Sequence, residues 1–164
     1  MAKYRQVEGE VKWARFSLEP AFAQRQKRRT GARARGKQYE AKAGAAFAAE
    51  YAGRILLGPW IEYMDETGHH WCQPDGMLFN VHSGYITIIE MKYQHTPDAW
   101  LQLRRLYQPI VDFLFATPDQ LWSTNIVEVV RWYDAQIGFP EPVRLTPALH
   151  LAHPRAFNVH IWNP

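Results

Sequence analysis

Between Tyr85 and Tyr93 the chain reads YITIIEMKY, apolar on both faces of an extended strand until Glu90 and Lys92 interrupt one of them. Strand alternation puts Ile86, Ile88, Glu90 and Lys92 on one side and Thr87, Ile89, Met91 and Tyr93 on the other. A strand apolar on both sides is covered on both, so Glu90 and Lys92 emerge at the end of an otherwise buried element. Two strand-like runs precede it, Trp60 to Met64 and Trp71 to Val81, the second broken by Pro74. Gly68 and the Ser83-Gly84 pair punctuate these runs as turns. Asn125 to Tyr133 reads as a further strand, and Phe157 to Trp162 as a short last one.

Two segments carry helical periodicity. Gly36 to Ala52, GKQYEAKAGAAFAAEYA, is rich in alanine, the best helix former, and Gly53 supplies a stop. At about 100° per residue, Glu40, Ala43, Gly44, Phe47 and Tyr51 share a face, which puts the Glu40 carboxylate on the apolar side. Thr96-Pro97-Asp98 predicts a helix start, with Thr96 as N-cap and Pro97 at the first position. The helix runs from Asp98 to Phe115 with Leu103, Leu106, Tyr107, Ile110 and Leu114 on one face and a kink at Pro109. The order helix, three strands, helix, strand predicts an α/β fold: a small mixed central sheet flanked by helices. Residues 1–35 read as a basic appendage with one helix near Leu18 to Arg29, and residues 36–164 as the domain that carries the core.

Composition narrows the setting. The chain has 164 residues, a single-domain length, and 47% are hydrophobic, too apolar for a disordered chain. Its one cysteine, Cys72, excludes an intramolecular disulfide and fits a reducing, cytoplasmic compartment. No stretch approaches the roughly 20 apolar residues of a membrane span. Positive charge is concentrated: Arg25, Lys27, Arg28, Arg29, Arg33, Arg35 and Lys37 follow one another with no acidic residue between. Such a run can neutralise several phosphates and release their counterions, and it can equally be a solvated basic arm.

Candidate chemistry gathers around the strand end. Gln73-Pro74-Asp75-Gly76 is a turn-like break that brings Asp75 beside the strand bearing Glu90 and Lys92. Two carboxylates and a backbone carbonyl, that of Met91, offer a hard divalent cation the oxygen ligands it prefers. Each half has a plainer explanation, a turn for Pro74-Asp75-Gly76 and a strand-end ion pair for Glu90 and Lys92. Their combination favours a magnesium site.

With these residues in place the sequence resembles the PD-(D/E)XK nuclease superfamily: Pro74-Asp75 matches the first half of the signature, Glu90-Met91-Lys92 the second. The resemblance covers about Gly36 to Tyr133 and looks most like the RecB-like branch of phage and bacterial nucleases. It implies a restriction-endonuclease-like core in a nuclease domain spanning 36–164, and an acidic residue on the preceding helix, a position that Glu40 matches. It also implies Mg²⁺ or Mn²⁺ held by Asp75, Glu90 and the Met91 carbonyl with Glu40 assisting, and Lys92 orienting water or stabilising charge. The expected partner is DNA, with RNA also compatible, in a bacterial cell or a phage-infected host; a dimer would suit two-fold DNA symmetry. Lys27, Arg28, Arg29, Arg33, Arg35, Lys37, Arg104 and Arg105 are the candidate nucleic-acid contacts. One feature departs from the branch, whose helix carries Gln-x-x-x-Tyr. Here four residues separate Gln102 from Tyr107, which an α-helix would rotate about 140° apart. The alternative readings are a non-catalytic nucleic-acid-binding protein of the same fold and an interaction domain whose ion pairs are structural. His69, His70 and Cys72 invite a zinc reading that only the distant His150 and His153 could complete. His95 lies just past Lys92, and Tyr93 and Trp100 are candidates for base stacking, although core packing is the commoner role of such residues.

Overall fold

The computed structural model describes residues 5–24, 31–146, 149 and 156–164. Lys27, Arg28 and Arg29 lie outside the described residues, as do His150 and His153. The protein is mixed α/β. Strand β1 (Trp13–Ser17) leads to a short 3₁₀ turn (Ala21–Gln24) and then helix α1 (Ala32–Glu50). Four strands follow: β2 (Ile55–Leu57), β3 (Trp60–Asp65), β4 (Gly68–Cys72) and β5 (Gly76–Asn80). After β6 (Tyr85–Gln94) comes an uninterrupted helical stretch: α2 (Pro97–Trp100), a π-helical segment (Leu101–Tyr107) and α3 (Gln108–Leu114). A small ribbon of β7 (Ala116–Thr117) and β8 (Gln120–Leu121) precedes β9 (Ser123–Trp132), β10 (Val143–Leu145) and β11 (Phe157–Ile161).

The central sheet has six strands in the order β10-β11-β9-β6-β5-β2. β6, β9, β11 and β10 are mutually parallel, while on the other flank β5 pairs antiparallel with β6 and β2 antiparallel with β5. As the two-sided apolar pattern of β6 requires, both of its faces are covered. Tyr39, Ala43 and Phe47 of α1 pack on Ile89, Met91, Val127 and Val129, and Leu103, Leu106, Tyr107 and Ile110 cover Ile86, Ile88, Ile126 and Val130.

Two expectations change. Trp60–Asp65 and Gly68–Cys72 do not enter the central sheet; they form a hairpin that β1 extends into a separate antiparallel sheet. The break at Pro74 is therefore a transfer between sheets, and the strand that flanks β5 is the short β2, whose three residues ILL were too few to read as a strand. With the hairpin set aside, the central elements follow the order α1, β2, β5, β6, helix, β9. The segment before Gly36, expected as an appendage, contributes β1, and Val7, Val11 and Ala14 pack against the core. In place of a helix over Leu18 to Arg29, its described part has only the turn at Ala21–Gln24. No helix among the described residues is long and apolar enough to cross a membrane.

Candidate functional site

The antiparallel register of β5 on β6 pairs Gly76 with Ile89, so one step further Asp75 stands opposite Glu90. Asp75 Oδ2 accepts the Met91 N–H at 2.6 Å, which fixes the carboxylate against the end of β6. Three further contacts hold its backbone. Gly58 donates its N–H to the Asp75 carbonyl at 2.9 Å, the Gln73 amide donates to the Gly58 carbonyl at 2.8 Å, and the Tyr107 hydroxyl donates to the Gln73 carbonyl at 3.1 Å. Gly58 has φ of 55°, and a Cβ there would stand 3.3 Å from the Gln73 amide, so the turn requires glycine.

Glu90 is buried, with Oε1 2.6 Å from Lys92 Nζ and Oε2 buried without a hydrogen-bond partner among the described residues. Lys92 keeps about a fifth of its side chain exposed, 22%, so the ion pair joins a buried carboxylate to an ammonium that reaches the surface. Burial raises the Glu90 carboxyl above the ordinary range, and the neighbouring Asp75 charge raises it further against the opposing pull of Lys92. Asp75 is raised too, chiefly by burial and then by Glu40, while the Met91 hydrogen bond, Lys92 and Lys37 act in the other direction. Two carboxylates that each disfavour the other's charge form a place where a cation is electrostatically welcome.

Glu40 does not lie on the buried face of α1. Tyr39, Ala43 and Phe47 occupy it, because the Tyr39 ring is buried and its hydroxyl donates to the Trp162 carbonyl at 2.9 Å, which sets the helix rotation one residue away from the expected one. Glu40 sits on the flank, 2.5 Å from Lys37, and lines a cleft with Asp75, Met91, Gly58 and Gln73. Among the described residues no three His, Cys, Asp or Glu side chains are grouped closely enough to hold a metal ion by themselves. Asp75, Glu40 and Met91 line this cleft, and Glu90, opposite Asp75 in the register, is buried and does not line it. The unpartnered Glu90 Oε2 and the repulsion between the Asp75 and Glu90 carboxylates fit a cation as guest.

The Gln102 and Tyr107 expectation is corrected by local geometry. Residues 101–107 form a π-helix, in which the Gln108 N–H donates five residues back to the Leu103 carbonyl. Hydrogen bonding at i→i+5 stacks residues five apart on one face. Gln102 Nε2 accordingly lies 3.5 Å from the Tyr107 hydroxyl. Pro109, expected to kink the helix, has no N–H to give the Arg105 carbonyl, and that carbonyl accepts the Val7 N–H at 2.9 Å instead.

The remaining candidates separate. Arg33, Arg35 and Lys37 lie exposed on the first turns of α1. Arg104 is gripped in a fork by both Glu141 oxygens at 2.9 Å and donates to Gln108, which makes it a tether of the helix. Arg105 is exposed and its guanidinium lies 4.9 Å from the centre of the Trp100 ring, while Trp100 is itself buried. His95 is fully buried, hydrogen-bonded to Glu128 and stacked among Tyr133, Phe139 and Phe157, so it is a core histidine. His70 pairs with Asp65 and His69 with Glu62, and burial raises the Cys72 thiol, which leaves the zinc reading without support among the described residues. Sequence reasoning missed Gly58, Gln73 and Glu128; the Gly58-Pro59 punctuation was the one signal it could have used for the first. Comparison of the chain with protein-family models, curated proteins and solved structures gives no match.

Proposed function

We propose that the protein is a metal-dependent nuclease with a restriction-endonuclease-like core, hydrolysing phosphodiester bonds of DNA. The observation that carries this reading is the register that sets Asp75 opposite Glu90 across β5 and β6, with Glu90 buried, Asp75 half-buried and the Met91 N–H fixing the Asp75 carboxylate. Asp75, Glu90 and the Met91 carbonyl would hold Mg²⁺ or Mn²⁺, with Glu40 reaching from the opposite wall of the cleft. When bound, such a cation supplies Lewis acidity toward the scissile phosphate and a coordinated water of lowered pKa. Lys92, a compact ammonium two residues along the strand from Glu90, orients the attacking water or stabilises the negative charge that develops on phosphate. Arg33, Arg35 and Lys37 add positive potential along α1 for the strand backbone.

A non-catalytic nucleic-acid-binding protein is the second reading, and the Lys92 to Glu90 ion pair favours it, since that pair partly satisfies Glu90 without a cation. Incubation with linear, circular, branched and single-stranded DNA and with RNA, in Mg²⁺, Ca²⁺ or EDTA, separates the two. The nuclease reading expects cutting in Mg²⁺ that Glu90→Ala and Lys92→Ala abolish. Binding in Ca²⁺ without any cutting in Mg²⁺, or a Glu90→Ala variant as active as wild type, overturns it.

A further inference from the structure

A second recess lies on the other flank of α1. Its walls are Arg35, Tyr39 and Lys42 of the helix, Tyr93 at the end of β6, Arg131 at the end of β9, and Asn163. Its volume of about 170 Å³ is room for roughly six waters at about 30 Å³ each, enough for a phosphate and part of its sugar. No Asp or Glu side chain lines it, and Arg35, Lys42 and Arg131 form no salt bridge among the described residues. Three cations on one concavity, which Gln38 and Pro164 also line, raise the local concentration of anions. The parallel register that pairs Lys92 with Val130 carries on to set Tyr93 beside Arg131, whose guanidinium is 5.6 Å from the Tyr93 ring centre. That contact and the hydrogen bond of Tyr39 to Trp162 fix the two tyrosine walls of the recess.

Met91 lines the carboxylate cleft and Tyr93 lines this recess, two residues apart on one strand. The two recesses thus share the end of β6 and lie on either flank of α1. We infer that the recess of Arg35, Lys42 and Arg131 is a phosphate subsite that holds the backbone of the nucleic-acid strand next to the stretch presented to the carboxylate cleft. The inference rests on the nucleic-acid reading of the neighbouring cleft, though not on its catalytic competence. The subsite positions a strand by charge, without reading base identity. Arg131 and Lys42 belong to neither the basic run of the sequence nor the carboxylate cleft.

The test is anisotropy of a fluorescein-labelled single-stranded DNA oligonucleotide in EDTA across a salt series. The double variant Lys42→Gln/Arg131→Gln is compared with wild type and with Lys12→Gln/Arg144→Gln, which removes two exposed cations that do not line the recess. The subsite predicts about a tenfold loss of affinity for the first pair and a log K against log salt slope shallower by about 1.4, with little change for the second. Equal losses for the two pairs, or none for either, overturn it. Inorganic phosphate distinguishes the source of the anion: it should weaken oligonucleotide binding by wild type and leave the Lys42→Gln/Arg131→Gln variant unaffected. Thermal stabilisation of wild type by inorganic phosphate, with unaltered oligonucleotide affinity in the variant, overturns the strand assignment. Cutting in Mg²⁺ is measured separately, so that wild type binding through the recess without cutting refutes the nuclease reading alone, and cutting with an unchanged variant refutes the subsite alone.

Discussion

The Tyr107 hydroxyl donates to the Gln73 carbonyl at 3.1 Å, tying the π-helical turn on one face of the sheet to the loop that carries Asp75 two residues later. This bond holds the hand-over between the two sheets at the point where the carboxylate must be aimed. Tyr107→Phe removes the bond to Gln73, together with the longer contact from Gln102, and little volume, so its cost in stability should be about 1 kcal/mol by urea unfolding. If the bond positions Asp75, single-turnover cutting in Mg²⁺ should fall by about tenfold, a larger effect than that loss of stability could produce under native conditions. An unchanged cutting rate would reduce the bond to packing.

Asp75→Asn separates stability from activity. The asparagine oxygen can still accept the Met91 N–H, while the buried charge that Glu90 and Glu40 repel is gone. Stability in metal-free buffer should rise by about 1 kcal/mol, as when a functional site is relieved of its own strain, and metal-dependent cutting should be lost. A destabilised variant would mean that Asp75 is ionised for the benefit of the fold.

Acid sensitivity should trace to the small sheet. Burial alone would raise the Asp65 carboxyl, yet hydrogen bonds from the Glu8 N–H and from the Thr67 hydroxyl and N–H outweigh it and bring the group down to about 2 from the ordinary 3.8. A depressed folded-state value contributes stability that is complete above the unfolded pKa and disappears as pH falls through the folded one. Wild type should therefore lose urea resistance between about pH 4 and 2, and Asp65→Asn should lose less over the same window while being less stable above it. Parallel curves would disprove the assignment.

Much of the central architecture was legible because periodicity reports burial. The two-sided apolar run of β6 and the alanine-rich α1 follow from the residues themselves. What the sequence hid depends on tertiary context. A three-residue strand such as Ile55–Leu57 has no period to detect, and the extended pattern through Trp71 to Phe79 does not reveal that its halves belong to different sheets. The rotation of α1 was misjudged by one residue because Tyr39 counts as buried only once Trp162, far along the chain, accepts its hydroxyl. Gln102 and Tyr107 looked incompatible on an α-helix, and no rule of spacing predicts the π-turn that aligns them. Asp75, Glu90 and Lys92 were legible because neighbouring strands bring them together, whereas the recess of Lys42 and Arg131 joins a helix to a strand some ninety residues later.

The buried pair of His95 and Glu128 should be the most costly of these features to break. Both side chains are fully buried, the imidazole Nδ1–H donates to Glu128 Oε2, and Glu128 Oε1 accepts the Thr96 N–H at 3.1 Å, pinning the start of the helical stretch. Burial raises the Glu128 carboxyl, with His95 opposing that rise. His95→Ala leaves the carboxylate without its partner and opens a void among Tyr133, Phe139 and Phe157, so it should destabilise by about 3–5 kcal/mol. Glu128→Gln keeps an acceptor for the Thr96 N–H and removes the buried charge, and it should cost less than half as much. A double-mutant cycle on the two positions, read by urea unfolding, should give a coupling well above the 0.5 kcal/mol of independent sites. Additive losses would mean that the histidine contributes only its ring.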